Sequence, residues 1–113
     1  MTPSNKGADQ FATAYIVAED EAQANMLAEG LVERRLAACC NILPPIRSVY
    51  RWEGRIEQAT EAALLAKIRR DDFDALCQYV CEHHSYDVPC ITLWPLADGL
   101  PAYLNFISSE TQK

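Results

Sequence analysis

The stretch ACCNILPPIRSVYRWEGRIEQATEAALLAKIRR, residues 38–70, decides the fold because it predicts two long strands joined by a tight turn. The dipeptide at 53–54, Glu-Gly, is a turn signal between residues typical of strands. Pro44 and Pro45 cannot donate to a strand ladder, so they mark a bend or a sheet edge. The prediction is therefore two short strand pieces, a turn and one long strand. These segments are 38–43, 47–52 and 55–70.

A helix over 58–68 is the rival prediction for the second half of this stretch. Alanine is the best helix former, and the segment contains four alanines. We favour a strand because the first half of the hairpin needs a partner of matching length.

The remaining segments predict an α+β protein of the order β-α-β-β-α-β-α. Its first six elements match the ferredoxin-like arrangement, an antiparallel sheet with two helices on one face. Asp20 and Gln23 suggest a capping box at the first helix. Residues 1–10 are expected to be disordered, and residues 11–113 to form one domain. The remaining predicted strands cover 11–18 and 88–96, and the helices cover 19–37, 71–84 and 99–110.

The predicted hairpin is longer than the rest of the sheet. Each of its strands spans about 45 Å at about 3.3 Å per residue, against about 26 Å for the other two strands. Its tip is therefore expected to project, with four large apolar residues, and a two-stranded ribbon of this kind is not stable alone in water. We expect it to pack on neighbouring subunits. The four residues are Val49, Tyr50, Trp52 and Ile56.

Composition excludes several functions. A net charge of −6 argues against nucleic acid, which is bound through Lys and Arg, and against anionic membrane surfaces. The five cysteines form no CxxC, and the polar start of the chain does not resemble a signal peptide. We therefore expect reduced thiols, a cytoplasmic location and no membrane partner. No G-x-S-x-G, Gly-rich phosphate loop or H-E-x-x-H motif occurs, so no enzyme is predicted.

Four motifs together resemble the CutA family of divalent-cation tolerance proteins: RLAACCNI, SVYRWEG, HHSYDVP and YLNFI. The resemblance extends over nearly all of residues 11–108. It implies a small cytosolic homotrimer with a ferredoxin-like fold and a role in the response to metal ions, with copper as a bound ion. A structural kinship with nitrogen-regulatory trimers implies the alternative of a small-molecule sensor.

The resemblance also implies a metal site at His83 and His84. The family's proposed copper site joins such a pair at the end of the second helix to a cysteine late in the first strand. That cysteine corresponds here to Ile16, which has no ligand atom. Cys77, Cys81 and His84 are neighbours on the helix surface, and thiolate with imidazole suits Cu(I) or zinc. The alternative is that both cysteines fill core space and His84 caps helical carbonyls.

Three further residues are candidates for a pocket between subunits. These are Trp52, Lys67 and Tyr86. The competing interpretation is that the two aromatic residues pack at an interface and that the lysine is solvated.

Overall fold

A four-stranded antiparallel sheet organises the chain, and two helices cover one of its faces. The computed structural model describes residues 7–113. The strand order β2-β3-β1-β4 confirms the predicted ferredoxin-like α+β fold. The elements are β1 (Phe11–Ala18), α1 (Glu21–Glu33), β2 (Cys39–Trp52), β3 (Arg55–Arg69), a 3-10 turn (Arg70–Asp72), α2 (Phe73–His83), β4 (Ile91–Pro95) and α3 (Pro101–Glu110).

The long hairpin of β2 and β3 is present, with one correction. The two strand pieces predicted before the turn form a single strand, because a register shift between Leu43 and Ile46 accommodates the two prolines as a bulge. Glu53 and Gly54 both have positive φ, 49° and 80°, and this geometry gives the tight turn that a two-residue hairpin loop requires.

The segment 58–68 is a strand, so its alanines do not form the rival helix. β3 pairs with β2 on one side and β1 on the other, and these pairings override the helix propensity of alanine. Its alternate residues Ala62, Leu64 and Ala66 face the helices and are fully buried. The opposite face of the sheet includes Glu61 and Lys67.

The first helix begins at Glu21, directly after the predicted cap residue Asp20. The Asp20 carboxylate accepts a hydrogen bond from the Gln23 amide at 2.8 Å. The Gln23 side chain reaches back to the amide of Glu19, not to that of Asp20, so the predicted capping box closes one residue earlier. Gly30 is required for contact with α2 and not with the sheet, because an added Cβ would lie 1.8 Å from the Tyr79 hydroxyl oxygen. The helix ends at Glu33, four residues before the predicted end.

The second helix differs from its prediction at both ends. A 3-10 turn precedes it, and Asp72 makes no capping hydrogen bond, because its carboxylate instead pairs with the Lys113 ammonium at 2.6 Å. The helix ends at His83, so His84 lies in extended backbone. Cys81 is exposed and therefore does not fill core space, whereas Tyr79 is buried.

The end of the sheet at Phe11 has a second apolar cluster. Residues 1–6 of the predicted disordered segment lie outside the described residues. Residues 7–10 are ordered: the first two are helical, the last two form a turn, and Ala8 is fully buried in a cluster with Phe11 and the α3 residues Leu104 and Ile107. β4 covers only five of the nine residues predicted for it.

No helix within residues 7–113 is long and apolar enough to cross a membrane.

Candidate functional site

The histidine pair lies where α2 gives way to the loop before β4. The Nδ1 of His83 is 2.8 Å from the carbonyl oxygen of Tyr79, and the two rings stack with centroids 4.2 Å apart. An imidazole facing a carbonyl donates its proton, so Nδ1 of His83 is the donor. Its other nitrogen, Nε2, has no hydrogen-bond partner among residues 7–113 and is the one His83 atom able to bind a ligand.

His84 uses both ring nitrogens in hydrogen bonds to the backbone. Its Nε2 lies 2.8 Å from the carbonyl oxygen of Val17, and its Nδ1 accepts the amide proton of Tyr86 at 3.0 Å. These two hydrogen bonds require a neutral imidazole that carries its proton on Nε2. The ring therefore ties the end of α2 to β1 and to the following loop.

The residues of the implied copper site do not form a preformed metal centre. Ile16, at the position of the family's cysteine, is fully buried in the apolar core. The one lone pair of the neutral His84 ring already accepts the Tyr86 amide proton. Burial raises the pKa of Cys77, which favours the protonated thiol over the thiolate that a metal needs. Within residues 7–113, no group of three His, Cys, Asp or Glu side chains is arranged to hold a metal ion.

A cavity of about 520 Å³ opens on the sheet face opposite α1 and α2, beside the loop that follows His84. It contains two of the three residues predicted for a pocket, Trp52 and Tyr86, and brings them together within one chain. Its volume is in the range of small-molecule sites. The lining residues are Val17, Ser48, Tyr50, Trp52, Glu61, Tyr86, Asp87, Val88 and Cys90.

Lys67 does not line this cavity of the single chain, and its place in a pocket between subunits stays a prediction. It lies six residues from Glu61 along β3, which is about 20 Å in a strand. Its ammonium instead forms a hydrogen bond with the side-chain oxygen of Asn41 on β2.

Glu61 is the site residue that the sequence reasoning missed. Only 8% of it is exposed, and its Oε2 accepts a hydrogen bond from the Tyr86 hydroxyl at 2.6 Å. Burial raises the pKa of Tyr86 above its usual range, and the hydrogen bond to Glu61 adds to the shift. An acidic residue two positions before Ala63, on the face that also presents Leu65, was the available sequence signal.

The field in the cavity is negative. Burial raises the pKa of the Cys90 thiol, and the nearby Glu61 carboxylate raises it further. Asp87 adds a second carboxylate to the lining, and none of the lining residues is basic. Such a site favours positively charged ligands over anions.

Hydrogen bonds hold the loop on the far side of the cavity. The Ser85 hydroxyl donates to the Glu19 carboxylate at 2.7 Å and accepts from the Gln23 side-chain amide at 3.0 Å. Together with the His84 contacts, these bonds fix the position of Tyr86 opposite Glu61.

The family comparison is consistent with this geometry. The model of the CutA1 divalent ion tolerance protein family matches residues 12–110. This chain belongs to that family. The divalent-cation tolerance protein CutA of Archaeoglobus fulgidus is 41% identical over 98 residues, which cover 87% of this chain and 95% of that protein.

Solved structures of the family superpose closely on this chain. One is the structure of the Archaeoglobus fulgidus protein, described as a periplasmic divalent cation tolerance protein. It has a TM-score of 0.88 at 39% identity, and the superposition covers 90% of this chain and 99% of that chain. CutA1 of Oryza sativa has a TM-score of 0.88 at 34% identity, covering 91% of this chain and 94% of its own.

Some relatives are considerably longer. The CutA homolog of Xenopus laevis is 40% identical over 97 residues, which are 86% of this chain and 64% of that protein. The chloroplastic CutA of Arabidopsis thaliana is 35% identical over 98 residues, which are 87% of this chain and 54% of that protein.

Proposed function

We propose that this protein is a non-enzymatic homotrimer that takes part in tolerance of divalent metal ions. The observation that supports assembly most strongly is the apolar surface of the hairpin ribbon. The names of the matching family and of its relatives support the metal-tolerance role.

The ribbon is the part of the hairpin that extends beyond β1, residues 46–61. The pairing of β1 with β3 ends at Ala18 and Ala62, so the ribbon has only two strands. Val49, Trp52 and Ile56 are 63%, 55% and 62% exposed on it. A two-stranded ribbon with this much apolar surface needs a covering layer, and closed symmetry among subunits supplies one. The number three comes from the resemblance to the family.

Tolerance is tested in cells that lack their own family member. Growth in copper and in zinc is compared for cells that express the wild-type chain, Trp52→Ala and an empty vector at matched protein levels. The proposal predicts that only the wild type restores growth. Equal growth of the wild-type and empty-vector cells would contradict it.

Copper or zinc binding through His83 and His84 is part of this proposal. The accessible Nε2 of His83 supports it, while His84 can bind a metal only by giving up the amide proton of Tyr86. We therefore expect weak binding that depends on further ligands from elsewhere.

A small-molecule sensor is the second candidate function, and the cavity that contains Trp52 and Tyr86 favours it. A thermal-shift screen of purified protein separates the two functions. A metabolite that raises the melting temperature of the wild type but not of Tyr86→Ala supports the sensor.

We also propose a cytoplasmic location and a role without catalysis. All five cysteines are free thiols, which is typical of reducing compartments. Burial raises the pKa of Cys40 to about 12, so its thiol is a poor nucleophile at neutral pH. Cell fractionation tests the location, and turnover of any substrate by the purified protein would contradict the second proposal.

A further inference from the structure

We infer that Cys77 and Cys81 of α2 form a two-coordinate site for Cu(I), separate from the histidine pair. The inference deepens the proposed role in metal tolerance, and its biological meaning rests on that role. Both ligands come from one helix, which packs on the sheet face opposite the cavity. The site therefore uses neither the ribbon nor a residue of a neighbouring subunit.

The position of the two cysteines on the helix is the first support. Leu76 and Val80 point into the core, and each cysteine directly follows one of them, so both thiols lie along the same border of the buried face. Residues four positions apart are neighbours on a helix surface, with Cβ atoms about 5–6 Å apart. Cys77 is half-buried and Cys81 is exposed, so one ion can reach both sulfurs.

Electrostatic interaction between the thiols is the second support. The pKa of Cys77 is raised first by burial and then by the Cys81 thiolate and the Asp74 carboxylate. These negative groups act on Cys77 at short range, so a cation bound there is attracted to all of them. A metal ion also reverses the effect of burial on the thiol, because a thiol that coordinates a metal loses its proton.

The spacing of the pair favours a bound ion over a disulfide. A disulfide requires Cβ atoms about 3.5–4.5 Å apart, less than the separation of about 5–6 Å on a regular helix. α2 would have to distort to form the bond. An ion between the sulfurs spans the longer gap, because two metal–sulfur bonds then replace one sulfur–sulfur bond.

The number and type of ligands select Cu(I) over zinc. Structural zinc sites take four ligands, and within residues 7–113 no group of three His, Cys, Asp or Glu side chains is arranged to hold a metal. Thiolates are soft ligands that select Cu(I), an ion that accepts only two of them, whereas imidazole also suits divalent ions. Cys39 and Cys40 do not offer a similar pair, because adjacent side chains in a strand point to opposite faces.

Binding of Cu(I) to the full chain is measured by competition with a chromophoric Cu(I) chelator under anaerobic conditions. Each thiol gives its proton to solvent as its bond to copper forms, so one ion releases two protons and copper keeps its oxidation state. Cys77→Ser and Cys81→Ser should each weaken Cu(I) at least about a hundredfold, because only one of the two ligands is left. The matched control Cys39→Ser removes a half-buried thiol of β2 and should leave the affinity unchanged.

A second variant separates the geometry from the number of thiols. Cys81→Ser combined with Glu82→Cys keeps five cysteines in the chain but turns the second thiol about 140° around the helix from Cys77. It should bind Cu(I) as weakly as Cys81→Ser alone. X-ray absorption of the copper-loaded wild type should show two sulfur neighbours and no nitrogen. Circular dichroism confirms that the variants fold.

Several results would overturn the inference. They are unchanged affinity in both serine variants, wild-type affinity in the variant that moves the thiol, and nitrogen bound to copper. A rise in molar mass on addition of Cu(I) would also overturn it, because copper would then bridge two molecules.

Growth in copper separates the failure of this site from the failure of the proposed function. A wild type that restores growth but binds Cu(I) independently of Cys77 and Cys81 refutes the thiol site alone. A wild type that binds Cu(I) through both thiols but does not restore growth refutes only the role in tolerance.

Discussion

Replacing Trp52 with alanine should destabilise the assembly more than it changes the fold of one subunit. A tryptophan side chain can bury about 250 Å², and 55% of this residue is exposed in the single chain, so about 140 Å² is available to an interface. At about 25 cal/mol per Å², full coverage contributes about 3.5 kcal/mol per subunit as an upper value. The part of the Trp52 side chain that is already buried within the chain also contributes to stability. Its removal lowers the free energy of unfolding by an amount that does not depend on association.

Urea unfolding at several protein concentrations separates the two losses. Oligomer stability depends on concentration by mass action, so the wild-type midpoint should rise between about 1 and 100 µM protein. In Trp52→Ala the unfolding midpoint should not vary with protein concentration over the lower part of the range from about 1 to 100 µM. Met26→Ala is the control, because Met26 is a half-exposed apolar residue on α1, away from the ribbon. A wild-type midpoint that does not vary with concentration would refute the reasoning.

Three further predictions concern the helices, the core and the histidine pair. Gly30→Ala should lower the free energy of unfolding by about 1–2 kcal/mol, because the clash with the buried tyrosine of α2 exceeds the gain of about 1 kcal/mol in helix propensity; differential scanning calorimetry measures it. Above pH 9 the Cys40 thiol ionises in the unfolded chain but not in the folded one. The free energy of unfolding should therefore fall by up to about 1.4 kcal/mol per pH unit until about pH 12. This slope should be smaller in Cys40→Ala. Copper affinity measured by calorimetry should fall at least about tenfold in His83→Ala and in His84→Ala, and the fold should survive chelator.

Each of these predictions has a result that would contradict it. A more stable Gly30→Ala variant would mean that α1 and α2 do not approach closely. If the pH slope of stability is unchanged in Cys40→Ala, Cys40 is not the group responsible for it. Equal copper affinity in the wild type and the double histidine variant would assign copper to the thiols or to nonspecific sites.

The hairpin could be predicted because its determinants are local. Glu53 and Gly54 form the turn, and the flanking residues favour strands on both sides. The bulge between Leu43 and Ile46 was not predictable, since prolines indicate an interruption but not whether the partner strand continues past it. The α1–α2 contact at Gly30 was also missed, because the tyrosine that it faces lies 49 residues away in sequence.

The candidate site was predictable only in part. Trp52 and Tyr86 were predicted for a pocket between subunits, and both line one cavity of the single chain. Lys67 does not line that cavity, because it lies six residues beyond Glu61 along β3. Glu61 was missed because its burial depends on the loop that contains Tyr86, and that loop is positioned by the long-range contact of His84 with Val17. Side-chain partners across such distances are not encoded in a local pattern.

The molar mass of the unmodified protein in solution tests the central claim of assembly most directly. Light scattering coupled to gel filtration at micromolar concentration should give three times the chain mass of 12.7 kDa, or about 38 kDa. Because the ribbon is expected to be covered by neighbouring subunits, this mass should persist on dilution. A stable species of 12.7 kDa would contradict the account.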